Sequence, residues 1–285
     1  MMSLYKFENV TKTYKKQKAL DNFTWEIEEG KIQALLGHNG AGKTTAFMIA
    51  NRIIPFNNGR VLFEDKDIKK MTKKQIQRTG FMTEKLKLYD ELNVKETLSF
   101  FADIYGIKDK KQSISKLIDT FDLGDFLKKK ISKLSTGMYK KTVICTTFLN
   151  KPDILFLDEP FAGLDPVIVK EISSVLKSYI KSGDKTIILS SHNLSEIEAV
   201  SDKITIMKDG KLIVSDSLKN LINKYKIDKS FNISYLDDSQ EKLLVVKDEK
   251  ELYNKLKELE NNHILSITEN KISLNHIYNQ IYAGK

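Results

Sequence analysis

GHNGAGKTT, residues 37–45, fits the pattern G-x-x-x-x-G-K-[ST] and lies between KIQALL, an apolar run that reads as a strand, and a segment that reads as a helix. The glycines let the backbone curl so that successive N–H groups face one point, and the following helix adds the positive end of its dipole. Such a loop holds phosphate oxygens. On this reading Asn39, Gly40, Ala41, Gly42, Lys43, Thr44 and Thr45 bind a nucleotide, with Lys43 reaching the β and γ oxygens and the Thr44 hydroxyl offered to Mg²⁺. Metal and water need a second anchor, and ILFLDEP (154–160) places two carboxylates at the end of an apolar strand. Asp158 is predicted to hold Mg²⁺ through its water shell, and Glu159 to orient or deprotonate an attacking water. Alone, Asp-Glu-Pro would be an ordinary strand end. Beside a phosphate loop the two motifs reinforce each other.

Outward from the loop, strand-like and helix-like segments alternate, which predicts a parallel sheet flanked by helices. LYKFENV and FTWEIEEG precede the loop as paired strands; GRVLFED, a polar helix over 72–78 and a short strand at 80–83 follow it. Over 94–149 the period becomes helical, with LNVKETLSFFADIYG, KQSISKLIDTFDL and STGMYKKTVICTTFL carrying apolar residues three and four apart. Strands resume at DILFLDEP and KTIILSSH, separated by a helix over 166–182 whose Pro166 suits a first turn. KITIMKDG and KLIVSDS read as a hairpin about Asp209 and Gly210, a pair suited to type I′ geometry. Beyond Ser217 a helix runs to 226, followed by SFNISYL, KLLVV, a charged helix over 249–261, ILSIT and a closing helix. This last unit has no glycine loop and no cluster of acids or histidines, so no chemistry is assigned to it. The expected fold is α/β, a P-loop NTPase with a mostly parallel core sheet, an antiparallel β subdomain, a helical subdomain over about 85–150 and a small C-terminal α+β extension. The domains are expected at 1–216 and 217–285.

With 285 residues, 41% hydrophobic and 30% charged, the chain can bury one substantial core and carry a small appendage. Its longest apolar runs fall far short of the roughly 18 to 20 residues that cross a bilayer, so any membrane-spanning work falls to another chain. MMSLYKFENVTKTY lacks the apolar stretch of a secretory signal. The single cysteine, Cys145, lies on an apolar helical pattern and reads as a small core residue. The net charge of +9 comes almost wholly from lysine; Arg52, Arg60 and Arg78 are the only arginines, whereas base readout and close phosphate recognition favour arginine. A dispersed solvated surface is the expectation, with an anionic membrane face as the alternative and no nucleic acid partner.

Seven motifs in one order now resemble the nucleotide-binding domain of the ABC ATPase family, over residues 4–217. Tyr14 precedes the loop; the loop itself, Glu84 in GFMTEK, LSTGM (134–138), LDEP, GLD (163–165) and SSH (190–192) follow. The resemblance implies that Tyr14 stacks on adenine and that His192 contacts the γ-phosphate as a support to catalysis. It also implies that Ser135 and Gly137, at the start of a helix, receive the γ-phosphate of an ATP held by a second subunit. LSTGM takes the place of the family's LSGGQ, with Thr136 and Met138 departing from it. Asp165 lies where the family couples two subunits, and its position before Pro166 also suits a helix cap. Glu84 stands where most members have glutamine, a further Mg²⁺ ligand that adds a charge beside ATP. A glutamate there resembles the branch that handles antimicrobial peptides, including lantibiotic-immunity and bacitracin-resistance exporters.

The resemblance implies an ATP- and Mg²⁺-dependent ATPase at the cytoplasmic face of the membrane. It would work with a separate multi-span subunit and a second ATPase subunit, as a homodimer or a paralogous heterodimer, and export amphipathic or antimicrobial peptides or drugs. The alternatives are a soluble ABC ATPase of translation or repair and a regulatory module without transport. Tandem translation factors need two such loops in one chain, and repair ATPases a long coiled coil between Lys43 and Asp158, where only a helical subdomain fits.

Overall fold

The computed structural model describes residues 3–181, 184–225, 230–237, 240–260, 262–270 and 273–283. The chain divides into two compact units, Met1–Asp216 and Ser217–Lys285. In the first, strands β1 (Ser3–Tyr14) and β2 (Gln17–Glu28) pair antiparallel. Strand β3 (Ile32–Leu36) leads through residues 37–42 into helix α1 (Lys43–Ala50). Strands β4 (Asn58–Phe63) and β5 (Lys66–Asp67) complete a four-stranded sheet in the order β2-β1-β4-β5. Helix α2 (Lys73–Gln77), opened by a capping box between Thr72 and Gln75, precedes strand β6 (Thr79–Met82).

Helices α3 (Val94–Ile104), α4 (Lys110–Phe121) and α5 (Thr136–Phe148) form the helical subdomain. Helix α3 starts at a capping box between Asn93 and Glu96. In α5 the residues from Lys141 to Phe148 are all buried, so this helix has no solvent stripe over its last two turns. Thr142, Thr146 and Thr147 tolerate that burial by donating to the carbonyls of Met138, Val143 and Ile144. Cys145 is fully buried there and burial pushes its thiol far above the ordinary pKa, which fits a packing role.

Strand β7 (Ile154–Asp158), helix α6 (Pro166–Lys181), strand β8 (Thr186–Ser191), helix α7 (Leu194–Val200) and strands β9 (Lys203–Lys208) and β10 (Lys211–Asp216) complete the unit. The six-stranded sheet runs β10-β9-β3-β8-β7-β6, parallel throughout except for the β9–β10 hairpin. Every residue of β3, β7 and β8 is buried, as strands covered on both faces require. The two sheets enclose α1 around an aromatic core in which Trp25 stacks on Phe47 and Phe47 meets Phe156 edge-on. Trp25 Nε1 donates to Thr205 Oγ1 at 3.2 Å, satisfying the one polar atom of the indole and fixing β2 to β9. The carboxyl ends of β3, β7 and β8 thus converge, which is where ligands bind in open parallel sheets.

In the second unit, helix α8 (Leu218–Tyr225) is followed by strands β11 (Ser230–Asp237) and β12 (Gln240–Val246), helix α9 (Glu249–Glu258), strand β13 (His263–Asn270) and helix α10 (Leu274–Ala283). The sheet order is β12-β11-β13, and Leu252, Leu256 and Leu259 pack on Phe231, Ile233 and Val246. The expected helix ends at 182, 226 and 261 lie outside the described residues. No helix among the described residues is long and apolar enough to cross a membrane.

Candidate nucleotide site

The loop between β3 and α1 lines a cleft of about 370 Å³, with residues 39–45 on one side and Tyr14, Glu84 and Glu159 around it. Its curvature is built from Gly40 and Gly42, at φ +83° and +107°, and from the Ala41 N–H donating to the His38 carbonyl at 3.1 Å. Tyr14, at the end of β1, is 45% exposed, leaving a ring face to stack on a base; Lys12 Nζ lies 4.9 Å from its centroid. Glu84 is exposed in the turn that follows β6.

Lys43 is buried, and its ammonium donates to the Gly37 carbonyl at 2.7 Å and lies 3.2 Å from Glu159 Oε1. The expected reach toward phosphate thus has a competitor within the chain, since the ammonium folds back on the loop and on the carboxylate. Thr44 Oγ1 donates to Asp158 Oδ2 at 2.7 Å, and Ser190 Oγ donates to Asp158 Oδ1 at 2.6 Å. The Ser190 oxygen also accepts from the Glu159 N–H at 3.0 Å, so one hydroxyl at the end of β8 orients both Asp158, the last residue of β7, and the Glu159 that follows it.

Glu159 adopts φ +50°, a left-handed conformation that a non-glycine residue holds only under surrounding constraint. Its side chain is 8% exposed; Oε2 sits 2.9 Å from His192 Nδ1, while Oε1 makes no hydrogen bond and has the Lys43 ammonium 3.2 Å away. A buried carboxylate oxygen with an open acceptor position is suited to take a proton or hydrogen bond from water. With Nδ1–H on Glu159, a neutral His192 leaves Nε2 as an acceptor, and only the imidazolium can donate from Nε2 as well.

Thr44 and Asp158 bring a hydroxyl and a carboxylate into contact at the cleft wall, a hard-oxygen pair that fits Mg²⁺. Among the described residues no group of three or more His, Cys, Asp or Glu could hold a metal alone.

Ser135, Gly137 and Asp165 line a different cavity, of about 460 Å³, that shares no residue with the loop cleft. Ser135 Oγ accepts from the Met138 N–H at 3.3 Å and caps α5; Asp165 Oδ1 accepts from Val167 and Ile168 N–H at 3.0 and 3.1 Å and caps α6. One chain therefore does not bring its phosphate loop and its LSTGM segment together.

Three residues to which the sequence assigns no role act on the acids or the histidine of the site. Ser190 is the first serine of SSH, and its signal was its place beside His192. Glu196, on α7, accepts from Ser191 Oγ at 3.1 Å and from Asn193 Nδ2 at 2.9 Å, bracketing His192; burial raises its pKa. Lys140, on α5, has its pKa lowered by burial, opposed by the charges of Glu84, Glu159 and Asp158. It is a cation near three acids, and only its position one turn past LSTG hinted at that.

The family model described as ABC transporter matches residues 20–162. The bacitracin transport ATP-binding protein BcrA of Bacillus licheniformis is 35% identical over 79% of this chain and 74% of its own length. The lantibiotic transport ATP-binding protein SrtF of Streptococcus pyogenes is 31% identical over 77% of this chain and 96% of its own. Among solved structures, cbiO1 of Clostridium perfringens, described as part of the ABC transporter complex cbiONQ, is 27% identical with a TM-score of 0.68, covering 80% of this chain and 93% of that one. Together with a phosphate loop facing a buried, unbonded carboxylate oxygen, these matches show that the chain belongs to the ABC transporter family, as one of its ATP-binding, ATP-hydrolysing subunits.

Proposed function

We propose that the chain powers a separate multi-span membrane subunit from the cytoplasmic face of the membrane, exporting small amphipathic or antimicrobial peptides. The observation that carries the membrane partner is an exposed aromatic patch close in sequence to Glu84. Tyr89 is 61% exposed and meets Phe100 edge-on at 5.3 Å; Ile104, 60% exposed at the end of α3, and Tyr105 just beyond it continue the patch, Tyr105 through Phe101. A contiguous apolar surface of that kind marks an interaction site rather than ordinary scatter. The peptide cargo is supported by the likeness to BcrA and SrtF and by the carboxylate at position 84.

In this reading the N–H groups of residues 39–45 and the Lys43 ammonium bind the β- and γ-phosphates, and Tyr14 stacks on adenine. Thr44, Asp158 and Glu84 would hold Mg²⁺, which neutralises phosphate charge when bound. Glu159 orients and deprotonates the attacking water through its open Oε1, and His192 steadies Glu159 and meets the γ-phosphate. No arginine follows Arg78, so charge developing in transfer falls to Lys43, His192 and the helix start at Ser135 and Gly137 of a second chain. The separation of the two cavities supports two copies of the ATPase, identical or paralogous, with Asp165 at their junction.

Purification of the natively expressed chain from detergent extract tests the partner: a stoichiometric multi-span protein is expected, and a ribosome or DNA complex in its place refutes the reading. The patch has its own test. Tyr89→Ser with Phe100→Ser should leave ATPase activity of the isolated chain within about twofold while weakening capture of the membrane subunit at least about thirtyfold, the loss expected for one aromatic anchor of about 2 kcal/mol.

A further inference from the structure

The phenol of Tyr139 is bonded twice to one loop. Its O–H donates to the Leu86 carbonyl at 3.1 Å, and the Leu88 N–H donates to the same oxygen at 3.0 Å. Both bonds go to backbone, so they hold the path of the chain rather than any side chain there. The Leu86 N–H in turn donates to the Thr83 carbonyl at 3.0 Å, closing the turn that carries Glu84. Leu88 is buried, which anchors the far end of the segment.

Tyr139 stands on α5, four residues after the capping Ser135, and is itself half-buried. One helical turn, about 5.4 Å of rise, separates it from the Ser135 cap. A short stretch of hydrogen-bonded backbone therefore connects two places that line different cavities: Glu84 in the loop cleft, and Ser135 with Gly137 in the other. The next residue, Lys140, brings positive charge toward Glu84 from the same helix.

We propose that Tyr139 is a positioning residue for ATP hydrolysis, bolting the Glu84 turn to the start of α5 so that the chain's own nucleotide and the one it serves in a second chain are sensed by a single moving body. The inference rests on the roles given above to Glu84, Ser135 and Gly137. Tyrosine suits the task because one oxygen both donates and accepts, and phenylalanine keeps the ring while losing both bonds.

The test is Tyr139→Phe in the full chain, read by ATP affinity, steady-state hydrolysis against ATP concentration, and amide hydrogen exchange at Leu88. ATP affinity should stay within about twofold, because no contact to the phosphate loop is touched, while kcat falls about tenfold, the scale of two modest hydrogen bonds. The Hill coefficient should drop from about two toward one, and Leu88 exchange should rise about tenfold. A merely structural role would lower the melting temperature without changing the Hill coefficient. A variant with the parent's kcat and cooperativity overturns the proposal alone. A parent chain that hydrolyses ATP without cooperativity overturns the two-site reading beneath it, and the proposal with it.

Discussion

Glu159→Gln is expected to bind ATP at least as tightly as the parent chain and to hydrolyse it about a thousandfold more slowly, the middle of the range for a positioned general base. The Glu159 carboxylate is buried, its Oε2 is committed to His192 Nδ1, and its Oε1 takes no hydrogen bond. Glutamine is nearly the same shape, so the left-handed turn at this residue and the Ser190 bond to its N–H should survive. If the amide oxygen keeps the contact to His192, the NH₂ faces the Lys43 ammonium, and two donors then stand where 3.2 Å now separates opposite charges. Lys43 loses its carboxylate partner, though not its bond to the Gly37 carbonyl, and becomes freer for phosphate, while one negative charge near the γ-phosphate disappears. Both changes favour binding. Neither supplies a proton acceptor for water. Nucleotide affinity by equilibrium titration and phosphate release on the same preparation check the prediction; hydrolysis within about tenfold of the parent would remove Glu159 from the role.

Those contacts also explain what the sequence could and could not reveal. Asp158 and Glu159 were legible because they end a wholly apolar strand, and the phosphate loop because its glycines, lysine and threonine are adjacent in the chain. The type I′ hairpin was legible for the same local reason: Asp209 and Gly210 both adopt positive φ. Ser190 was marked only by its place in SSH, since its partner Asp158 is 32 residues away, and Tyr139 lies more than 50 residues from the loop it holds, with nothing local to mark it. Helix α5 carried a further ambiguity. Its apolar spacing reads as a stripe, yet its last eight residues are buried on every side, with threonines bonded internally, because α5 packs against β6 as well as α3 and α4. Lys43 shows a different limit. A motif states which ligand a side chain is built for, but not which internal group holds it otherwise.

Gly42→Ala is expected to abolish ATP binding, whereas Gly40→Ala, two residues earlier in the same motif, should weaken it about tenfold. Both glycines have positive φ, so alanine at either costs about 1–2 kcal/mol of backbone strain. The difference lies in what a Cβ meets. At Gly40 no heavy atom lies within 4 Å, and strain is the whole cost. At Gly42 the Cβ would stand 2.3 Å from the Ala19 carbonyl oxygen, with Leu20 Cδ2 at 3.0 Å and Met207 Cε at 3.2 Å. A methionine tip can swing away, but a carbonyl oxygen is part of the backbone of β2 and moves only if the chain there moves with it. The loop must therefore withdraw, and it carries the first turn of α1, with Lys43 and Thr44, along with it. Withdrawal also opens the Thr44–Asp158 contact at 2.7 Å, so the phosphate and metal sides of the site are lost together. Titration with ATP should show no saturation at about a hundred times the parent's Kd, a loss above about 2.7 kcal/mol. Circular dichroism and melting temperature establish that the variant is folded. Binding by Gly42→Ala within about tenfold of the parent would mean that β2 can yield at Ala19, and that the tight curvature of residues 37–42 is not what holds the phosphates.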